Sequence, residues 1–204
     1  MGLIKPILKE VQMQIIDRIS AWELLQKHVQ SQQLIRHALA VEAAMGYFAR
    51  QFGEDEQPWR VIGLCHDIDY EQYPDEHLQH AREILQGAGW PEEYIRAVLS
   101  HGWSICTDVK PETRLEKTLF TVDELTGLVS ASALVRPSKS ILDMKAKSVK
   151  KKWNTKAFSA GVDRSIIEKG AQMLGMELNE VITWTITGMG EAADELGLRG
   201  NPGE

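Results

Sequence analysis

His66-Asp67 closes the apolar run Trp59-Arg60-Val61-Ile62-Gly63-Leu64-Cys65 and sets an imidazole beside a carboxylate at the end of a helix. Such groups ligate Fe, Mn, Co, Ni or Zn, and the absence of cysteine from the set argues against a structural zinc site. Adjacent helical positions point about 100° apart, so both groups face one centre only where the helix ends and the chain turns. The segment Asp69 to Pro74 supplies that turn. The partial negative charge of a helix C-terminus also favours a cation there.

His37 lies beside the stripe Leu34, Ala38, Val41, Met45 and Phe48, whose helical spacing points it inward. Asp123 occupies a similar place between Leu119 and Gly127. A carboxylate on a buried stripe is costly unless it is paired or bound to metal. Taken singly, each residue is accounted for as a hydrogen-bonded core histidine or a capping aspartate. Three together on inward faces fit metal ligands better. His77 opens the helix His77-Leu78-Gln79-His80-Ala81-Arg82-Glu83-Ile84-Leu85, and His101 follows the helix from Pro91 to Ser100.

The order His37, His66-Asp67, His77, His101, Asp123 resembles the HD-domain phosphohydrolase superfamily, in its branch with additional histidines and a dinuclear metal site, as in HDIG and HD-GYP proteins. The resemblance covers roughly residues 20 to 130. It implies an all-α fold, an HD-domain helical bundle, with additional C-terminal helices. It also implies that His37, His66, Asp67 and Asp123 hold one divalent transition metal and that His77 and His101 hold a second, with Asp67 bridging. A water or hydroxide between the metals would be the nucleophile, its pKa lowered by the cations. His77, followed six residues later by Glu83-Ile84-Leu85, fits an arrangement of that branch, so it is preferred as ligand over His80, a candidate substrate contact. Asp69-Tyr70 departs from the glycine and small or basic residue that many relatives carry there. Asp69 therefore joins His66 and Asp67 as a catalytic candidate, either as a hydrogen-bond partner or as a general acid.

The resemblance implies a metal-dependent phosphohydrolase acting on a small phosphorylated metabolite or nucleotide. Two alternatives stay open: a di-iron oxygenase of the same superfamily, and a non-catalytic nucleotide-sensing module.

The elements that must position these residues are almost wholly helical, with no sustained period-two strand. Ser20 and Ser31 are expected to cap helices near 21–28 and 32–51, with Gly53 closing the second. A helix after Pro58 ends at His66-Asp67, the next runs from about 76 to Gly87, and Pro91 begins another. A long helix spans about 112–132, followed by a short piece from Ser138 to Met144, a lysine-rich stretch, a helix capped by Asp163 to about Leu174, and a last helix from about Asn179 to Leu196. Gly200 to Gly203 read as a frayed tail. The chain is expected to form one domain, 1–204, with a metal-binding core at about 20–132 and an extension at about 133–198.

With 204 residues, 43% of them hydrophobic, the chain can bury a full core. Two unpaired-looking cysteines, Cys65 and Cys106, suit a reducing cytoplasm, and Cys65 is expected in the core. No apolar run reaches the roughly 18 to 20 residues of a membrane span, and Lys5, Lys9 and Glu10 interrupt any signal-peptide core. A soluble cytoplasmic protein without membrane association follows as the expectation, its oligomeric state open.

Between Arg136 and Lys156 eight basic residues face a single acid, Asp143, so this segment carries +7 and, with the chain at −6, the rest carries −13. The segment either holds substrate phosphates or is a solvated face. Arg136 and Lys139, just after the Asp123 helix, are candidate substrate contacts; otherwise Pro137 ends that helix and Ser138 caps the next. An acidic chain whose only aromatics near this segment are Trp153 and Phe158 gives little support for nucleic-acid binding.

Overall fold

The structure is a computed structural model and describes residues 16–155 and 157–202. The N-terminal Lys5, Lys9 and Glu10, Lys156 of the basic segment and Gly203 of the tail lie outside the described residues.

Among the described residues the fold is all-helical: α1 (Arg18–His28), α2 (Gln32–Phe52), α3 (Glu56–Cys65), α4 (Ala81–Gly87), α5 (Glu92–Ser100), α6 (Arg114–Leu134), α7 (Ala146–Trp153), α8 (Arg164–Leu174) and α9 (Leu178–Glu191), with a 3-10 turn at Pro74–Glu76. The only β pairing among these residues is an isolated bridge between Trp103 and Thr107. No helix among them is long and apolar enough to cross a membrane.

Helix α2 is the axis on which α3, α6 and α9 pack. Its inward residues include Ala38, Ala40, Ala44 and Ala49, whose small side chains let neighbours approach closely. Two glycines on those neighbours exploit this. A Cβ at Gly63 of α3 would lie 3.2 Å from the Val41 carbonyl oxygen, and one at Gly188 of α9 would lie 2.9 Å from that of Ala43. The close approach at Gly63 brings His66, three residues on, up against His37.

Local chemistry sets the helix ends. Asp17, not Ser20, caps α1, accepting from the Ser20 amide at 2.8 Å, because the helix begins three residues earlier than the apolar spacing suggests. Asp55 caps α3 in the same way, Asp163 caps α8, and Gly53 closes α2 in the left-handed conformation at φ 71°. Thr113 and Glu116 form a capping box at the start of α6.

The expected helix at 76–87 is instead a 3-10 turn, an irregular stretch through His80, and the short α4. Ser138 to Met144 forms turns, and the last helix ends at Glu191. The tail is pinned rather than frayed, since the Asn201 amide donates to the Ser138 carbonyl at 2.8 Å and the Ile141 amide to that of Leu198 at 2.9 Å. Cys65 is buried in the core and Cys106 is exposed, both as free thiols.

Candidate metal centre

Six side chains from four helices and a turn converge. His37 comes from the first turns of α2, His66 and Asp67 from the end of α3, and His77 from the turn after the 3-10 helix. His101 ends α5 and Asp123 lies within α6. The residue after His77, Leu78, takes φ 68° while its side chain is buried, a strained conformation that the surrounding packing holds.

Asp67 stands at the middle. Its Oδ2 lies 3.4 Å from His66 Nε2 and 3.7 Å from His37 Nε2. Its Oδ1 lies 3.4 Å from both His77 Nε2 and His101 Nε2. Asp123 Oδ1 completes the first side, 3.0 Å from His37 Nε2 and 3.3 Å from His66 Nε2. Two triads, His37-His66-Asp123 and His66-Asp67-His101, each have ligand atoms within 4.8 Å of one another.

The hydrogen bonds at the back of each ring fix the tautomers. His66 Nδ1–H donates to the Gly63 carbonyl at 2.8 Å, and His101 Nδ1–H to that of Val98 at 2.6 Å. His77 Nδ1–H donates to Asp69 Oδ1 at 2.9 Å. The Thr126 hydroxyl donates to the Asp123 carbonyl, so its oxygen is left to accept from His37 Nδ1–H at 3.4 Å. Each ring, once its Nε2 is free of a proton, turns a lone pair to the centre. His37 and His66 set their Nε2 atoms 3.2 Å apart, as do His77 and His101. Opposed lone pairs beside two carboxylates repel unless a cation lies among them, so this donor set fits divalent metal ions.

Without a metal ion, a proton on His66 takes the place of that cation. Burial alone would disfavour a charged His66, but Asp67 and Asp123 outweigh it and hold the imidazolium up at about 9. Burial raises Asp67 and Asp123, yet the facing histidines prevail and keep both carboxyls below the usual range. Glu124, by contrast, is pushed up to about 7, first by burial and then by the charge of Asp123.

Asp69 sits behind the centre. It is fully buried, and its Oδ2 accepts from the backbone amides of His80 (3.2 Å) and Ala81 (2.9 Å) while Oδ1 faces His77. One carboxylate thus caps α4 and orients a ring of the centre, which matches the expected hydrogen-bond partner and leaves no open path to substrate for a general acid.

The centre opens into a cleft of about 1130 Å³ lined by His37, Asp67, Tyr70, His77, His101 and Asp123 together with residues of α2, α6, the 102–106 turn and the C-terminal Leu196 to Leu198. His80 does not line it: its Nε2 meets Glu76 at 2.8 Å and its ring stacks on Tyr73 at 3.9 Å. Nor do Arg136 and Lys139. Arg136 donates to Asp143 Oδ2 at 2.7 Å and to Ser148 Oγ at 3.0 Å, bracing the connection between α6 and α7, and Lys139 is exposed in a turn. Two residues of the site were not among the sequence candidates: Thr126, which meets the His37 ring, and Arg36, which lines the cleft. Thr126 follows Asp123 by three residues on the same helix face, and Arg36 precedes His37, so both spacings were open to inspection.

An all-helical scaffold carrying a histidine–aspartate centre that fits divalent metal defines the class. Residues 34–127 match the family model of the HD domain, a stretch that contains all six convergent side chains. HD domains bind divalent metals and are typically metal-dependent hydrolases. No curated protein and no solved structure matches the chain.

Proposed function

We propose that this protein is a metal-dependent phosphohydrolase that cleaves a phosphate ester of a small molecule, with two divalent ions in its centre. The observation that carries the reading is the split of Asp67, one oxygen toward the His37-His66-Asp123 side and the other toward His77 and His101. His37, His66, Asp67 and Asp123 would hold one ion and Asp67, His77 and His101 the other. Divalent ions there would acidify a water and offset charge building on a phosphoryl group. The chain's own part is positional. Gly63, Val98, Asp69 and Thr126 lock the four rings with Nε2 inward, and burial of His66 and His101 keeps bulk water from the rear of the centre.

The test is metal analysis of protein purified without added metal or chelator, with a panel of phosphomonoesters, phosphodiesters and nucleotides. The expected result is divalent metal near two per chain and phosphate release that Asp67→Ala abolishes together with the metal. Metal-replete protein that hydrolyses no phosphoester would overturn the reading, and iron-dependent oxygen consumption would replace it with the oxygenase. An Asp67→Ala variant with full metal content would remove Asp67 from its bridging place.

A further inference from the structure

The cleft that leads to the centre is unlike a polyphosphate site. Among the described residues, Arg36 is the only lysine or arginine lining it, and the basic segment from Arg136 to Lys152 contributes nothing. Nucleoside polyphosphates need several cations along their length, and here Glu124 offers a carboxyl rather than a cation. Arg36 itself has no hydrogen-bond or ion-pair partner among the described residues, so its guanidinium is free to take one anionic group.

The remainder of the lining is largely apolar. Leu34, Ile105, Leu134, Val162, Leu196 and Leu198 all contribute to it. Ile105 is 64% exposed and Leu134 52%, apolar surface left open to water beside a polar centre. Exposed apolar area that adjoins a concave polar site marks a place where a ligand covers it. Leu196 and Leu198 reach the cleft because the tail is held against residues 138–141, so this lining is fixed by backbone hydrogen bonds.

We propose that the cleft takes an amphiphilic monoester: one anionic head at the metal centre and Arg36, and a single apolar body lying along Leu34, Ile105, Leu134 and Val162. This rests on the phosphohydrolase reading for the chemistry of the head and on the lining alone for that of the body. A body without charge is preferred because the cleft has apolar lining for it and no second cation.

The experiment uses metal-replete protein and two uncleavable probes, butylphosphonate and octylphosphonate, titrated by calorimetry at several temperatures. The expected result is at least tenfold tighter binding of the octyl compound, since each methylene buried contributes about three- to fourfold. Its heat-capacity change should also be more negative. Leu134→Gln, on an exposed position, should shrink the octyl advantage and leave butyl binding unchanged, and Arg36→Gln should weaken both probes alike. Equal affinity for the two chain lengths overturns the proposal, as does an octyl advantage indifferent to Leu134→Gln. Parallel assays with butyl and octyl phosphate separate the two readings. Hydrolysis without a chain-length preference in binding sinks only the substrate class. A chain-length preference without hydrolysis sinks only the phosphohydrolase.

Discussion

His66 is the residue on which the electrostatics of the centre turn. Its folded pKa of about 9 lies above the ordinary 6.5, so the stability it lends to metal-free protein is complete below about 6.5 and is lost as pH rises through about 9. A metal ion must displace that proton, because Nδ1 is held by the Gly63 carbonyl and only Nε2 can ligate. Metal affinity should therefore rise with pH between about 7 and 9, with a proton released from His66 on binding. Calorimetry in buffers of different ionisation enthalpy measures this directly, and binding heat independent of the buffer would contradict it. The residues were legible, and the structure brings His37, His66, Asp67, His77, His101 and Asp123 together. What orients them was not, since two of the four rings are held by backbone carbonyls, which any residue supplies. Asp69 was read as either a partner or an acid; only its burial and its two backbone donors distinguish these roles.

Between elements, Glu116 ties together the two helices that carry His101 and Asp123. Nearly fully buried, it accepts from the Glu112 amide at 2.6 Å and the Thr113 amide at 2.9 Å and pairs with Arg96 of α5. Arg96 and these amides keep its carboxyl below the usual range although burial opposes this. Glu116→Ala should cost about 2 kcal/mol, lowering the melting temperature by roughly 4–8 °C. An unchanged melting curve would show the capping box to be dispensable. Arg136→Ala should likewise lower the melting temperature by a few degrees, by freeing Asp143 and Ser148, while leaving KM for a small phosphomonoester unaltered. A raised KM would return Arg136 to the substrate. The long helices were legible because their apolar period and caps are local. The 76–87 region was misread because the acceptor for the first amides of α4 is Asp69, which stands 11 and 12 residues upstream and leaves no local capping signal.

Across the whole molecule, a centre that draws on four helices and a turn exists only in the folded chain, so a metal bound there would stabilise it by mass action. At a free metal concentration about 100-fold above its dissociation constant the gain is about 2.7 kcal/mol. Stripping the metal with a chelator should then lower the melting temperature by roughly 5–10 °C, reversibly on re-addition, and a melting curve indifferent to chelator would exclude metal from the folded core. The all-helical class was legible from the apolar period alone. The separation of charge was visible as a count, but not its placement: the described residues of the basic segment stay off the cleft because Arg136 is engaged with its own loop and tail residues fill the adjoining wall. The contact between His37 and Asp123 joins positions 86 residues apart. The first ligand to leave the ribosome thus waits for α3, the His77 turn, α5 and half of α6 before its last neighbour appears. A nascent chain halted before Asp123 presents an unfinished cluster, so completion of the centre is timed by synthesis of α6.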